Sequence, residues 1–211
     1  MMSGRMETAS AALDIQTGGG EVLATVAHPP VLLVATESWP PNLERARRTL
    51  HPRGATVVAV ADDGELPFAA SSFDLVVSRH PVVTGWSEIA RVLRPGGTYL
   101  SQQVGAGSIG ALTEAMMGPQ PVSDRRRPDR AVDEAQRAGL EVVDLRRATC
   151  KVEFNDIAAV VHFLRKVVWT VPDFTVDRYR SRLRELHHRI EDDGPFVAHS
   201  ERFLIEARRP A

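Results

Sequence analysis

The residues with the clearest chemical meaning are a carboxylate inside an apolar segment and a run of three glycines. Asp14 lies within residues 11–15, which predict a short buried strand, and Gly18 to Gly20 follow almost at once. Residues 21–27 then have helical spacing. A strand, a glycine turn and a helix start bring a polar ligand against bare backbone, because glycine allows close approach and tolerates positive φ. Alone, this pattern indicates only a general ligand-binding turn.

Two more carboxylates follow predicted strands farther along the chain. The continuous apolar run of residues 31–36 predicts a parallel strand that is covered on both faces, and Glu37 ends it. An acid there can accept two hydrogen bonds from a ribose diol, although a solvated acid at a helix entry has the same pattern. Asp62 follows the strand predicted over residues 56–60. Its carboxylate could accept from an adenine amino group or cap its own turn.

Strands and helices must alternate to position these acids at one edge of a sheet. Further predicted strands cover residues 75–78 and 98–104. The predicted helices between strands cover residues 42–50, with Asn42 as cap, and residues 88–94, with Ser87 as cap. Four such alternations imply a parallel sheet that is wound by right-handed crossovers.

Composition and charge bound the class of protein. The chain has 211 residues, 43% hydrophobic and 25% charged, which are values for a single globular domain. A net charge of −1 gives no field that would attract nucleic acid or an anionic membrane, and no apolar run approaches the ~20 residues of a membrane span. The single cysteine, Cys150, excludes an intrachain disulfide and a cysteine zinc cluster, and it favours a cytoplasmic location. No cluster of histidines and acids predicts a metal site.

Taken in order, the motifs resemble those of the class I S-adenosylmethionine-dependent methyltransferases, and most closely the small-molecule branch that includes ubiquinone and menaquinone methyltransferases. The segments that carry the resemblance are LDIQTGGG at 13–20, Glu37, ADDGELPF at 61–68, SFDLVV at 72–77 and IARVLRPGG at 89–97. The resemblance covers about residues 11–104. It implies an α/β fold with a Rossmann-like, doubly wound, mostly parallel seven-stranded sheet whose last strand is antiparallel.

The resemblance also implies S-adenosyl-L-methionine as cofactor. It places Asp14 and the glycine turn at the amino acid part, Glu37 at the ribose and Asp62 at the adenine amino group. Trp39 could pack on the adenine face or close the helix entry. The predicted cofactor-binding residues are Asp14, Gln16, Thr17, Gly18, Gly20, Glu37, Ser38, Trp39, Asp62, Asp63 and Ser78.

One residue departs from the family pattern. Gln16 stands where the family has the first glycine of the turn. It could crowd the methionine carboxylate of the cofactor or donate a hydrogen bond to it. Related enzymes also carry helices before the first strand, whereas here residues 1–10 predict only a short mobile lead-in. The true start could lie upstream, another chain could supply the cover, or the site could be open.

The second half of the chain predicts the cover of the site. Within a single domain of residues 1–211, residues 11–104 form the predicted cofactor-binding half, and residues 152–195 form a helical insertion and candidate substrate lid. The sequence predicts helices over residues 108–117, 131–139 and 156–169, the last capped by Asn155, another helix after Thr175, and strands over residues 140–145 and 203–207. The apolar stripe of the helix after Thr175 serves packing or contact in a homodimer.

Three residues of the insertion are predicted substrate contacts. His162, Arg165 and Trp169 share a helix face by their spacing, although a packing seam would explain them equally well. The proline- and arginine-rich residues 118–130 suit a solvated linker better than a clamp for an anionic substrate.

Proton removal from the substrate needs a base, and His80 is the best-placed candidate. It follows directly after the strand over residues 75–78, and it is also a predicted substrate contact, although a lone loop histidine is more often structural. The sequence therefore favours methyl transfer to an oxygen or nitrogen of a small molecule, with no nucleic acid or membrane partner and a possible homodimer. The alternatives are a cofactor-binding but catalytically degenerate protein, a nicotinamide dehydrogenase and, more weakly, a nucleic-acid methyltransferase.

Overall fold

The computed structural model, which describes residues 2–211, contains one seven-stranded sheet. The strands are β1 (Ala11–Ile15), β2 (Leu32–Glu37), β3 (Thr56–Ala59), β4 (Phe73–Arg79), β5 (Leu93–Val104), β6 (Glu141–Phe154) and β7 (Phe196–Arg208). Their order is β3-β2-β1-β4-β5-β7-β6. Strands β1 to β5 pair in parallel, and the end formed by β5, β7 and β6 is antiparallel. The predicted Rossmann-like, doubly wound sheet is confirmed.

Helices connect the strands of this sheet. They are α1 (Met2–Thr8), α2 (Pro40–Leu50), α3 (Trp86–Val92), α4 (Gly110–Met117), α5 (Pro128–Arg137), α6 (Ile157–Lys166) and α7 (Arg180–Asp193). Short 3₁₀ turns occur at Leu23–Thr25, His51–Arg53 and Asp124–Arg126. The predicted end of α4 at Gly118 is confirmed, since the Gly118 N–H donates to the carbonyl of Glu114.

The chain divides into two compact units. The first unit comprises residues 2–103, 128–146 and 203–211, and the second comprises residues 104–127 and 147–202. In the first unit, Leu13 and Ala12 belong to two different apolar clusters, because successive side chains of a strand point to opposite faces. The parallel strands are therefore covered on both faces. In the second unit, α4, α6 and α7 surround a separate cluster that contains Phe154, Leu164 and Leu186.

The segment after the glycine turn is not the predicted helix over residues 21–27. It holds only the 3₁₀ turn Leu23–Thr25. Val22, Thr25 and Val26 are β-branched, and two prolines follow at 29 and 30, so a stable α-helix has neither the propensity nor the length it needs. The glycine turn therefore leads into irregular chain and not into the positive end of an α-helix.

The expectation of a mobile lead-in is also wrong for the described residues, and Met1 lies outside them. Residues 2–8 form α1, whose Met6 side chain is fully buried. Arg5 pairs with Glu206 of β7 at 2.6 Å between Nη2 and Oε1. The buried Met6 and the Arg5 ion pair thus attach this short helix to the rest of the first unit.

Three predicted helix caps are wrong. Helix α2 begins at Pro40, two residues before Asn42, and α3 begins at Trp86, one residue before Ser87. Proline suits a first helical position, because its φ is already helical and its missing N–H has no partner there. Helix α6 is capped by Asp156 instead of Asn155, and the Asp156 carboxylate accepts from the Ala159 N–H at 2.7 Å.

The insertion is bounded by longer strands and shorter helices than the sequence predicts. Helix α6 ends at Lys166, so Trp169 lies beyond it. Strand β6 continues to Phe154 and β7 already begins at Phe196. Most side chains of β6 are exposed, so this strand lacks the apolar signal by which its full length could have been recognised.

Candidate active site

The glycine turn has one packed side and one open side. Gly20 has φ +78°, and a Cβ on it would approach the Leu50 side chain of α2 to 2.8 Å, so close packing requires glycine there. Gly18 has φ +66°, and a Cβ on it would meet no atom within 4 Å. Beside Gly18, the Thr17 Oγ1 is buried and makes no hydrogen bond of ordinary geometry. An open backbone at a glycine fits a turn that receives a polar ligand.

Glu37 joins the end of β2 to this turn. Its Oε2 accepts from the Gly18 N–H at 2.7 Å, and its Oε1 accepts from the N–H groups of Ser38 at 3.1 Å and Trp39 at 3.0 Å. These backbone donors fix the buried carboxylate beside the turn. A carboxylate has about four acceptor positions, so Glu37 retains capacity for a further donor.

Asp14 is a buried acid in the middle of the sheet. It pairs with Ala35 of β2 on one side and Val77 of β4 on the other. Burial raises the pKa of Asp14 to about 7; the Thr17 hydroxyl offsets part of this effect, and the nearby charge of Glu37 adds to it. Near neutral pH this group therefore exchanges a proton readily, and a cationic partner would favour its ionised form.

A pocket lies beside the turn, between the ends of β1, β3 and the segment before α3. It is a partly open cleft of about 340 Å³, a volume that includes space open to solvent. Its walls are formed by Ile15, Gln16, Thr36, Val60, Ala61, Asp62, Gly64, Leu66, Val83, Gly85 and Glu88. Asp62 is half-buried on this wall, whereas Asp63 is exposed and does not line it. The largely apolar walls also carry two acidic residues, Asp62 and Glu88, of which Glu88 is already paired with Arg91. Such walls suit a flat base that carries an amino group.

Sequence reasoning missed Glu88, which supports the pocket wall. Its Oε2 accepts from the Leu66 N–H at 2.7 Å, and Arg91 binds the carbonyls of Leu66 and Phe68 at 2.8 and 2.7 Å. The Arg91 guanidinium lowers the pKa of Glu88. The three-residue spacing of Glu88 and Arg91 on one helix was the available signal.

The Gln16 side chain crosses from the turn to the loop between β4 and α3. Its Oε1 accepts from the Val82 N–H at 2.6 Å, and its Nε2 donates to the Val83 carbonyl at 2.8 Å. A longer contact of 3.5 Å joins Nε2 to the Asp62 carbonyl. Gln16 itself has φ +58°, the left-handed conformation that glycine adopts easily.

The candidates after β4 have different surroundings. The Ser78 hydroxyl is buried within 2.8 Å of both the Tyr99 hydroxyl and Ser101 Oγ, so it belongs to an internal network. Burial raises the pKa of Tyr99, which keeps this network neutral. His80 has φ +55°, and its backbone N–H donates to the Gln102 carbonyl at 2.7 Å. This contact fixes the backbone from which the imidazole projects.

Two predicted cofactor contacts lie at the start of α2. Ser38 is half-buried and Trp39 is 58% exposed, and both direct their backbone N–H groups to Glu37. Trp39 therefore keeps a free face on the surface of the first unit.

The predicted substrate contacts of the insertion all belong to the second unit. His162 and Arg165 lie within α6 and are both exposed, so the alternative of a packing seam is wrong for them. Trp169 lies beyond the helix and is 55% exposed, with the Arg126 guanidinium 6.0 Å from its ring centroid. Within residues 2–211, no group of three histidines, cysteines or acids is placed to hold a metal, and no helix has the length and apolarity to cross a membrane.

Part of the first unit is similar in sequence to known proteins. Residues 13–101 match the family model described as "Methyltransferase domain". The chain is also 29% identical over 167 residues to the biotin biosynthesis bifunctional protein BioHC of Cellvibrio japonicus. That match covers 72% of this chain and 32% of BioHC, so the chain spans about a third of the length of this curated relative.

Solved structures share the fold at low sequence identity. A proposed methyltransferase from Bacillus halodurans is 18% identical with a TM-score of 0.70, and the match covers 100% of this chain and 98% of that one. Phosphoethanolamine N-methyltransferase 2 of Haemonchus contortus, solved with S-adenosylhomocysteine, is 19% identical with a TM-score of 0.56. The match covers 100% of this chain and 51% of the Haemonchus enzyme.

Proposed function

Since the chain carries a class I S-adenosylmethionine-dependent methyltransferase domain, we propose that it transfers a methyl group from this cofactor to an oxygen or nitrogen of a small molecule. One observation carries the proposal. Three acids, Asp14, Glu37 and Asp62, lie at or near the carboxyl ends of neighbouring strands around an open glycine turn. This is where open α/β sheets bind ligands.

The donor set fits the three parts of the cofactor. We assign Glu37, held by three backbone N–H groups, to the ribose hydroxyls. We assign Asp14 to the ammonium group, which would draw its raised pKa back down, and Asp62 to the adenine amino group in the pocket. The cofactor supplies a methyl group on a sulfonium, so the protein chiefly has to position the reactants and exclude water.

His80 is the proposed base for the substrate proton. It follows β4 at the same edge of the sheet, and the bond of its backbone N–H to Gln102 holds its position. Imidazole exchanges protons near neutral pH, as removal of a hydroxyl or ammonium proton requires. His80→Gln should therefore lower kcat while it leaves affinity for the cofactor unchanged.

The insertion supplies the proposed contacts to the substrate. His162, Arg165 and Trp169 stay predicted substrate contacts, and residues 152–195 stay a candidate lid. The Haemonchus relative is by its name an N-methyltransferase, which supports nitrogen as one acceptor class. A cytoplasmic location and a homodimer also stay proposals.

Calorimetry and a transfer assay test the proposed function together. We expect S-adenosylmethionine and S-adenosylhomocysteine to bind, and NAD not to bind. Methyl-labelled cofactor should then pass its label to members of a small-molecule panel of alcohols, amines and carboxylic acids. Binding of NAD without either sulfur nucleoside would remove the proposal.

A second candidate function is cofactor binding without transfer. The hydrogen bonds of Gln16 across the site favour it, because they occupy a place where the related family has glycine. Tight binding of S-adenosylhomocysteine with no label transfer, also in a Gln16→Gly variant, would support this second function over the first.

A further inference from the structure

The side chain of Gln16 spans the crevice in which this fold binds ligands. The strand order runs outward from β1 to β3 and resumes at β4 on the other side of β1, so the switch point lies between β1 and β4. Gln16 directly follows β1, and Val82 and Val83 follow β4. The carboxamide therefore extends from one side of the crevice to the other.

Backbone groups use the hydrogen-bonding capacity of this carboxamide. Val82 donates to Oε1 at 2.6 Å, and the Val83 carbonyl accepts from Nε2 at 2.8 Å. The second Nε2 hydrogen lies toward the Asp62 carbonyl at 3.5 Å. The pairing resembles that of two peptide groups in a sheet, and it leaves the Gln16 carboxamide only the second lone pair of Oε1 to offer a ligand.

The location of this bridge sets it in competition with a nucleoside. The proposed partners of the cofactor lie around it. Asp14, on β1, is two residues before Gln16, and the backbone carbonyl of Asp62 lies 3.5 Å from Gln16 Nε2. A ligand that reaches from the Asp62 pocket to the glycine turn must pass the Gln16 side chain. For such a ligand to bind, the Gln16 side chain has to move and its two short hydrogen bonds have to break.

We propose that Gln16 is a specificity-determining residue whose carboxamide competes with the adenosyl cofactor for the crevice between β1 and β4. This inference rests on the proposed function. Cofactor binding requires Gln16 to release Val82 and Val83, so the free energy of the bridge is subtracted from the affinity. Short ligands that fill only the Asp62 pocket leave the bridge intact.

Calorimetry with S-adenosylhomocysteine on matched variants tests the competition. Gln16→Gly removes the side chain, and glycine suits the φ of +58°. Because the ligand no longer has to break the two hydrogen bonds of Gln16, S-adenosylhomocysteine should bind roughly tenfold more tightly. Gln16→Met keeps the length without the hydrogen bonds and should fall between glycine and the wild type. Gln120→Gly, at an exposed position of the second unit, is the matched control and should change nothing.

Calorimetry with adenosine alone distinguishes binding in the Asp62 pocket from binding along the full crevice. Its affinity should change less than that of S-adenosylhomocysteine between the wild type and Gln16→Gly. Amide hydrogen exchange of the ligand-free proteins tests the bridge itself, because the Val82 N–H should exchange faster in Gln16→Gly than in the wild type.

The outcomes distinguish a failure of the proposed function from a failure of the inference about Gln16. If neither the wild type nor Gln16→Gly binds S-adenosylhomocysteine, the proposed function falls, and the inference falls with it. If both bind with equal affinity, or Gln16→Gly binds more weakly, only the inference is overturned. Unchanged exchange at Val82 also overturns it, since the bridge would then be absent in solution.

Discussion

The predicted site residues of the two units have different surroundings. In the first unit, Glu37 and Gln16 are held by backbone groups of distant segments, and Asp14 is buried with a raised pKa. In the second unit, His162 and Arg165 are exposed on a helix whose other face fills an apolar core. Costly placement of polar groups marks a site, because burial must be offset by specific partners, whereas exposure costs nothing.

The largest expected effect separates stability from binding. Leu164 is fully buried in the second unit, so Leu164→Ala should lower the free energy of unfolding by about 2–5 kcal/mol. If the first unit alone forms the cofactor site, affinity for S-adenosylhomocysteine at 25 °C should stay unchanged. Urea unfolding and calorimetry measure the two quantities. A parallel loss of affinity would show that the site needs the second unit.

The next effect should fall on binding. Glu37→Ala removes the acceptor of three backbone N–H groups and of the proposed ribose contact. We expect a loss of cofactor affinity of about 1.5–3 kcal/mol, the range for hydrogen bonds to charged groups. Glu44→Ala, on the exposed part of α2, is the control. Equal affinity of Glu37→Ala and the wild type would exclude Glu37 from the site.

A third effect concerns pH. The pKa of Asp14 is raised from 3.8 to about 7 in the folded state, so the folded protein holds a proton that the unfolded chain has released. The stability contributed by this group is therefore present at low pH and is lost as pH rises from about 4 to about 7. Asp14→Asn should flatten this dependence in thermal melts taken across that range. A slope equal to that of the wild type would contradict the raised pKa.

The same residue should give cofactor affinity an opposite dependence. An ammonium group binds ionised Asp14 better, so affinity should rise as pH passes through about 7, and Asp14→Asn should abolish the rise. Calorimetry at several pH values measures it. Affinity that stays level in the wild type would place the ammonium elsewhere.

The smallest effect should come from the exposed helix face. Arg165→Ala should change stability by less than about 0.5 kcal/mol, as for most surface substitutions. If Arg165 contacts substrate, KM for the methyl acceptor should rise while cofactor affinity stays constant. Arg182→Ala on α7, also exposed, is the control. Unchanged kinetics would show that Arg165 does not contact the substrate.

The part of the fold predicted from the sequence is the part with strong local patterns. The continuous apolar run that becomes β2 and the glycines at 18 to 20 correctly predict buried parallel strands and a tight turn. The helix expected after Gly20 fails, because hydrophobic spacing does not reveal the cost of Val22 and Thr25 or the shortness of the segment.

The site was less accessible to sequence reasoning than the fold. The positions of Asp14, Glu37 and Asp62 follow from strand ends. The Gln16 bridge does not, because its partners at 82 and 83 contribute only backbone atoms, which leave no mark in the sequence. Glu88 was missed because its role in the pocket wall depends on its hydrogen bond with the Leu66 N–H, and these two residues are far apart in the chain.

The ion pair of Arg5 with Glu206 links the first helix to the last strand, with 2.6 Å between Arg5 Nη2 and Glu206 Oε1. The ends of the described chain lie three residues before Arg5 and five residues after Glu206, so a flexible linker can be designed to join them, with new ends opened in the exposed segment around Gln120 and Pro121. Such a circular permutant would keep the glycine turn inside the chain. It would also leave the sheet order intact, so the experimenter can choose where the chain ends lie in this fold.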